Sequence, residues 1–212
     1  MICVRQKILT MLDMQEAMNE KVHSDWQAQN FEWYRAIWVE AAELLDHYGW
    51  KWWKKQSPDR EQVVLELIDI WHFGLSLLLS GDQDKENIAR QVEADLARTK
   101  KATSAEAFRL LLEDFALQTL QTRQFDVPGF ASLMLAMDLE FDALYRSYVG
   151  KNVLNFFRQD NGYKEGSYIK VWAAKEDNEH LVEILDELDD SRIDFRDAVY
   201  QALAKRYSEV SG

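Results

Sequence analysis

The sequence has 212 residues, of which 47% are hydrophobic and 29% are charged, and this composition is typical of a folded domain rather than a disordered chain. The net charge of −12 at pH 7 argues against a surface that binds nucleic-acid polymers by neutralising their phosphates. The single cysteine, Cys3, excludes an internal disulfide framework and favours a reducing compartment, so we expect a cytoplasmic protein.

The low number of prolines and glycines in the chain favours helices. Only two prolines and eight glycines interrupt it, which leaves long stretches that suit helices better than short strands and tight turns. We therefore predict an all-α fold, a helical bundle that forms a single domain over residues 1–212. The most apolar stretch, residues 67–79, is too short to span a bilayer, and the N-terminus lacks the apolar core of a signal peptide. We expect neither membrane attachment nor export.

Three helices are predicted in the first eighty residues. An approximate apolar stripe predicts the first helix over residues 4–22. The second is predicted over residues 34–48, and Gly49 is a natural stop for it. The third is predicted to start at Ser57-Pro58, where serine can cap free amides and proline suits the first turn, and to end at residues 80–81.

The rest of the chain has weaker helix signals. A capping box is predicted at Thr103-x-x-Glu106, and an apolar helix is predicted to run from Asp126 to Tyr148. A polar loop follows at residues 161–168, and after two acidic segments a last helix is predicted near residues 192–207. Residues 82–126 are interpreted as a helical insertion or cap on the domain.

Two acid pairs are the first candidate functional feature. In Glu40-Ala-Ala-Glu43 and Glu66-Leu-Ile-Asp69 the acids are three residues apart, so each pair projects from one side of its helix. Packing the two helices together would gather four carboxylates that need a cation or a proton, and hard oxygen ligands favour magnesium, manganese or calcium. The alternative for either pair alone is a solvated helix face, although Asp69 lies among apolar residues and needs a partner.

Aromatic and amide side chains surround these acids in the sequence. The segment 49–55 contains three tryptophans, which can stack on a base, and three lysines, which can meet phosphates. The alternative is a solvent-exposed loop whose tryptophans pack into the helical bundle. Gln15 and Asn19 share a helix face and could read a pyrimidine edge, or they could be ordinary surface amides. His72 follows Asp69 by three residues and is either a core histidine or a ligand contact.

A basic stripe lies later in the chain. Lys151, Asn155 and Arg158 follow the i, i+4, i+7 pattern of one helix face, and the loop after them carries Tyr163 and Lys164. Together they could bind a polyphosphate, with arginine supplying bidentate hydrogen bonds. A surface stripe of salt bridges is the alternative.

The order and spacing of these motifs resemble those of the dimeric all-α dUTPases, members of the wider all-α nucleoside triphosphate pyrophosphatase group related to MazG. The resemblance covers most of the chain. It rests on four segments: residues 15–19, 40–54, 66–73 and 151–164.

This resemblance implies a Mg²⁺-dependent diphosphatase that converts dUTP to dUMP and diphosphate, with dUDP as a second substrate. It implies two or more Mg²⁺ ions, for which Mn²⁺ could substitute, with Glu43 orienting or deprotonating the attacking water. The implied metal ligands are Glu40, Glu43, Glu66 and Asp69. The implied base and sugar contacts are Gln15, Asn19, Trp52, His72 and Asn155. The implied phosphate contacts are Lys54, Lys151, Arg158, Tyr163 and Lys164. The family also implies a homodimer, in which residues 50–55 would close over the neighbouring active site.

Three other interpretations remain open at this point. One is a MazG-like or dCTP-type pyrophosphatase that has the same metal site and a different base pocket. Another is a ferritin-like di-iron protein, because Glu20-x-x-His23 and Asp69-x-x-His72 imitate the helices of such bundles. The third is a non-catalytic helical interaction module, whose acids form only a solvated stripe.

Overall fold

The computed structural model describes residues 3–189, 192 and 194–211. The chain divides into two compact units, an N-terminal unit of residues 3–144 and a C-terminal unit that begins at Tyr145. Helices dominate both units, and the strands in the described part of the chain form a single two-stranded sheet, so the all-α prediction is confirmed. A single domain over residues 1–212, with an insertion or cap at residues 82–126, stays a prediction.

The N-terminal unit is built from helices that follow one another through short connections. In chain order they are α1 (Val4–Val22), a 3-10 helix (Trp26–Gln29), α2 (Trp33–Tyr48), α3 (Arg60–Leu79), α4 (Lys85–Leu96), α5 (Ala105–Thr122) and α6 (Val127–Ala136). α3 packs against α1 and α2, while α6 packs against α4 and α5. The next helix, α7 (Phe141–Asp160), contains the boundary between the units.

The helix starts differ from two of the sequence predictions. α1 has the predicted bounds and α2 begins one residue early, but α3 begins at Arg60 rather than at Ser57-Pro58. Its cap is Asp59, whose carboxylate accepts a hydrogen bond from the Gln62 amide. α5 is capped by Ser104 and not by Thr103. In both helices the residue that caps is the one whose side-chain oxygen reaches the third amide of the first turn.

The helix predicted from Asp126 to Tyr148 is two helices, α6 and α7. After α6 the backbone of Asp138 is left-handed, with φ of 50°, and the Leu139 amide donates to the Met134 carbonyl at 2.9 Å. The Asp138 amide also donates to the Leu135 carbonyl, at 3.2 Å. The two bonds form a Schellman motif, which ends a helix and usually places glycine in the left-handed position. Since aspartate occupies that position here, the sequence contains no glycine to indicate the break.

The core of the N-terminal unit centres on α3. Trp71 is fully buried, stacks on Phe130 at 5.1 Å and contacts Phe125 edge to face. Gly74 leaves room for the Phe125 ring, since an added Cβ would lie 2.5 Å from that ring. α3 is long and apolar enough to cross a membrane by length and composition, but 61% of the relevant window is buried inside the protein. Such burial is typical of the core helix of a folded domain.

The C-terminal unit contains elements that the sequence patterns did not predict. After the C-terminal part of α7 come β1 (Val171–Trp172), β2 (Lys175–Glu176), α8 (Asp177–Glu187) and α9 (Phe195–Ser211). The hairpin turn is Ala173-Ala174, and both residues have positive φ, 46° and 67°. Such turns normally contain asparagine or glycine, which is why no turn signal was visible. The helix predicted near residues 192–207 corresponds to α9, although residue 193 lies outside the described residues.

One ion pair joins α7 to the start of α8. The Arg158 guanidinium donates to both carboxylate oxygens of Asp177 at 2.8 Å, and the Asp177 side chain is fully buried. Tyr168 also donates to this carboxylate, at 2.9 Å. These hydrogen bonds hold the pKa of Asp177 below its ordinary value of 3.8 in spite of its burial. Asp177 is therefore a carboxylate that anchors the C-terminal unit.

We expect Asp177→Asn to destabilise the protein by about 3 kcal/mol at pH 7, because breaking a buried pair leaves an uncompensated charge. Denaturant unfolding measures the loss. Folding lowers the pKa of Asp177, so the ion pair stabilises the fold at pH values above the ordinary aspartate pKa of 3.8. As the pH falls below 3.8, the difference in unfolding free energy between the variant and the wild type should shrink. Asp197→Asn, an exposed change on α9, is the control and should have an effect within about 0.5 kcal/mol. An equal loss in both variants would contradict this role of Asp177.

Candidate metal centre and its surroundings

Packing of α2 against α3 gathers the acid pairs. Ligand oxygens of Glu40, Glu43 and Glu66 all lie within 4.8 Å of one another. The two glutamates of α2 are one turn apart on a single face, and Glu66 projects from α3. Glu66 is buried, Glu40 is half-buried and Glu43 is exposed, so the group extends from the interior to the surface. An all-oxygen set of this kind suits a hard divalent cation such as Mg²⁺ or Mn²⁺.

The electrostatics of this group favour a cation. Burial raises the pKa of Glu40 to about 8, with further contributions from its hydrogen bond to Glu66 and from the neighbouring acids. Burial also raises the pKa of Glu66, against the lowering effect of the Glu40 hydrogen bond. Without a cation, burial and the mutual repulsion of its negative charges thus favour a protonated carboxyl in this cluster. A divalent cation would replace that proton and satisfy the same oxygens.

Asp69 and His47 lie at the edge of this group. Asp69 is not among the three grouped ligands, but its charge raises the pKa of both Glu40 and Glu66. The His47 ring places Nε2 3.5 Å from Oε1 of Glu66. His47 was not predicted as a site residue, although it follows Glu43 by four residues and so shares its helix face. That spacing was the signal that could have identified it.

A polar network joins α1 to α3 beside the core. The predicted base-contacting residues Gln15, Asn19 and His72 are all buried, and each is hydrogen-bonded within the network. Ser76, which the sequence analysis did not identify, lies between the two amides and contacts both at 3.0–3.1 Å. Gln15 and Asn19 are therefore not ordinary surface amides. Ser76 follows His72 by one helical turn, and this spacing could have indicated it.

The tryptophan-rich segment after α2 is held at its base and exposed at its tip. Gly49 has φ of 93°, and its carbonyl accepts a hydrogen bond from Arg109 of α5 at 2.9 Å. The Gln56 side chain accepts from the amides of Trp50 and Lys51. Trp52, by contrast, is 89% exposed. The tryptophans therefore do not all pack in the bundle, which was the alternative for this segment.

Lys54 is also exposed in that segment. The other predicted phosphate contacts lie in the C-terminal unit, where Lys151 is half-buried on α7 and Tyr163 and Lys164 are exposed in the loop after it. Arg158 already binds Asp177 through two nitrogens and donates from Nη1 to Asn155 at 3.3 Å. The roles of these residues toward a substrate stay predictions.

The ferritin-like interpretation does not fit this arrangement. Glu20 and His23 are exposed at the end of α1, and neither belongs to the group of candidate ligands found in the described part of the chain. His72 places its Nδ1 against Gln15, at 2.9 Å. The glutamate group on α2 and α3 is thus the candidate metal centre.

A comparison with known protein families identifies the family that this chain resembles. Residues 7–163 match the dUTPase family. The chain belongs to the dUTPase family. No curated protein matches it. The match extends from α1 into the loop after α7 and includes every predicted site residue except Lys164.

Membership of the dUTPase family confirms the resemblance that the four motifs indicated. It supports a hydrolase that acts on nucleoside triphosphates, and the glutamate group can hold a metal for such a reaction. A non-catalytic interaction module does not account for the family match together with this group.

Proposed function

We propose that this member of the dUTPase family is a Mg²⁺-dependent dUTP diphosphatase that releases dUMP and diphosphate and also accepts dUDP. The observation that carries the proposal is the group formed by Glu40, Glu43 and Glu66, whose oxygens lie within 4.8 Å of one another inside the region that matches the dUTPase family. These acids, with Asp69 beside them, are the proposed ligands of two or more Mg²⁺ ions. Mn²⁺ is expected to substitute, since it prefers the same oxygen ligands.

The residues of the chain have separate tasks in this reaction. Bound Mg²⁺ would neutralise the triphosphate and lower the pKa of water. Glu43 is the proposed base, because it is the exposed acid of the group and can accept a proton from water as the water oxygen attacks phosphorus and the phosphoanhydride bond breaks. Glu40 and Glu66 are more buried and therefore suit a fixed ligand role.

Substrate recognition is proposed to involve both ends of the nucleotide. The network around Gln15, Asn19 and His72 offers amide and imidazole groups to the base and sugar. Trp52 is exposed and available for stacking, and Asn155 completes the proposed set. The phosphate roles of the basic residues rest on the family resemblance, as do the homodimer and closure by residues 50–55. The proposed cytoplasmic location rests on the single cysteine, Cys3.

The test is a substrate panel at controlled metal concentration. The purified full chain, treated with chelator, should release no diphosphate from dUTP, and added Mg²⁺ should restore the reaction. Among dUTP, dUDP, dCTP and dTTP, we expect the two uracil nucleotides to be preferred by at least about a hundredfold in kcat/KM, because mismatched hydrogen bonds are strongly discriminated in a buried site. Preference for dCTP would favour the dCTP-type alternative. Failure of Mg²⁺ both to stabilise the fold and to support hydrolysis would overturn the proposal.

A further inference from the structure

The tryptophan loop, residues 50–55 between α2 and α3, is closed at its base by one side chain. Gln56 places Oε1 3.1 Å from the amide nitrogen of Trp50 and 2.7 Å from that of Lys51. One side-chain oxygen therefore accepts two consecutive backbone hydrogen bonds. Only the oxygen of a glutamine amide can accept from an N–H group, so these two contacts fix which way the Gln56 amide points. Gln56 thus joins the start of the tryptophan loop to its end.

Gly49 allows Gln56 to come this close to the end of α2. The φ of Gly49 is 93°, which favours glycine, and an added Cβ would lie 3.0 Å from Cβ of Gln56. The Gly49 carbonyl accepts a hydrogen bond from Nε of Arg109 at 2.9 Å, and the Arg109 guanidinium lies 5.8 Å from the centre of the Tyr48 ring. The base of the loop is therefore held by α5 as well as by Gln56.

Ring contacts connect the fixed base of the loop to Trp52 at its tip. Trp50, whose amide Gln56 holds, also donates from Nε1 to Oδ1 of Asp46 at 2.9 Å. The Trp53 ring contacts Trp50 edge to face at 5.2 Å and contacts Trp52 in the same way at 5.5 Å. Trp52 is nevertheless 89% exposed. Its indole is thus supported by a neighbouring ring while most of its surface remains available for stacking.

The connection that contains the tryptophan loop begins and ends at the edge of the proposed metal site. His47 places Nε2 3.5 Å from Oε1 of Glu66, and its carbonyl accepts a hydrogen bond from the Asp59 amide at 3.0 Å. Gly49 follows His47 by two residues, and Asp59 is the cap of α3. The loop is therefore anchored next to the acids that would hold the metal and the phosphates of a nucleotide.

We propose that Gln56 is a positioning residue that orders the tryptophan loop before substrate binds and so presents Trp52 to the base of dUTP. This inference rests on the proposed function, in which Trp52 stacks on the base. Gln56 does not touch the substrate and acts through the backbone of Trp50 and Lys51. A loop that is already ordered loses less conformational entropy when substrate binds, so the hydrogen bonds of Gln56 lower the KM. The effect is the same whichever subunit's site the loop serves.

Gln56→Met tests the proposal, because methionine has a similar length and only a weak acceptor. We expect the KM for dUTP to rise about tenfold and kcat to change less than about threefold, since loop ordering acts equally on bound substrate and transition state. Gln56→Glu keeps an acceptor oxygen and should keep the KM within about threefold of the wild type. The control is Gln91→Met, which removes another hydrogen-bonded glutamine, on α4. An unchanged KM in Gln56→Met, or an equal rise in Gln56→Glu or in the control, would overturn the proposal.

A double-mutant cycle separates positioning of Trp52 from a merely structural role. Trp52→Ala alone should raise the KM for dUTP about tenfold, the size expected for the loss of one stacked base. In that background no indole remains to be positioned, so adding Gln56→Met should raise the KM by less than about twofold. If Gln56→Met had its full effect in the absence of Trp52, Gln56 would not act through Trp52 and the proposal would fail.

A further measurement does not depend on activity. Amide hydrogen exchange of the substrate-free protein, followed by NMR, reports the two hydrogen bonds that Gln56 accepts. We expect the Trp50 and Lys51 amides to be protected in the wild type and in Gln56→Glu, and to exchange at least about tenfold faster in Gln56→Met. Equal exchange in the wild type and Gln56→Met would overturn the proposal. A wild type with protected amides but no dUTP hydrolysis would remove the proposed function and leave the ordered loop standing. An active enzyme whose KM ignores Gln56→Met would remove the positioning role alone.

Discussion

Glu43→Gln is expected to lower the rate of dUTP hydrolysis about a thousandfold while the protein remains folded. Glutamine keeps the size of the side chain and one oxygen, but it cannot take a proton from water. Glu43 is the exposed member of the glutamate group, so the change removes charge from the surface end of the site and disturbs little packing. The measurement is kcat at saturating dUTP and Mg²⁺, with circular dichroism to check the fold.

The control for this prediction is Glu113→Gln, which neutralises an exposed glutamate on α5. It should leave kcat within about twofold of the wild type, since surface changes away from special features have small effects. If Glu43→Gln kept more than about a tenth of the wild-type kcat, a general-base role would be refuted, because such a role contributes at least about a hundredfold.

Glu40→Gln is expected to have opposite effects on stability and activity. The pKa of Glu40 is raised to about 8 from the ordinary value of 4.5, chiefly by burial. Between these values the folded protein holds this proton more tightly than the unfolded chain does. The metal-free wild type should therefore lose stability as the pH rises from 4.5 to about 8. Glutamine does not titrate, so the metal-free variant should lack this loss and melt above the wild type at pH 8.

The same variant should respond poorly to metal. Mg²⁺ stabilises the wild type by binding the folded state, and removal of one ligand charge should reduce that stabilisation and lower kcat/KM by at least about a hundredfold. Thermal melts with chelator and with Mg²⁺, at pH 6 and pH 8, measure both effects. Glu113→Gln is again the control and should follow the wild type. A variant that Mg²⁺ stabilises as much as the wild type would remove Glu40 from the metal site.

Local sequence patterns predicted most helices of the N-terminal unit because their signals are short-range. The apolar stripe of α1 and the glycine after α2 indicate those helices within one turn. Sequence patterns failed at helix ends and turns where the left-handed position holds a residue other than glycine or asparagine. Asp138 ends α6 in a position that normally takes glycine, and Ala173-Ala174 form a turn that normally takes asparagine or glycine. The caps at Asp59 and Ser104 were misplaced by one or two residues, since neighbouring polar residues compete for that role.

In the candidate site, too, features that depend on local spacing were predicted and contacts between helices were missed. The spacing of the acids placed each pair on one helix face, and the order of the motifs indicated the dUTPase family, because both depend only on position along the chain. His47 and Ser76 were missed, since each contacts its partners across two helices. Arg158 was interpreted as a phosphate contact, and its pairing with Asp177 depends on a hairpin that had no signal in the sequence.

The sequence by itself determined the all-α class, the family and the chemical character of the site, since periodicity, composition and motif order are properties of the chain. Only the tertiary structure decided which oxygens lie together. It brought Glu66 close to Glu40 and Glu43. Burial of Glu40 in this group and repulsion by the neighbouring acids raise the pKa of Glu40. It also placed Ser76 between the side-chain amides of Gln15 and Asn19. Distances between helices depend on side-chain packing across the core, which no local pattern contains.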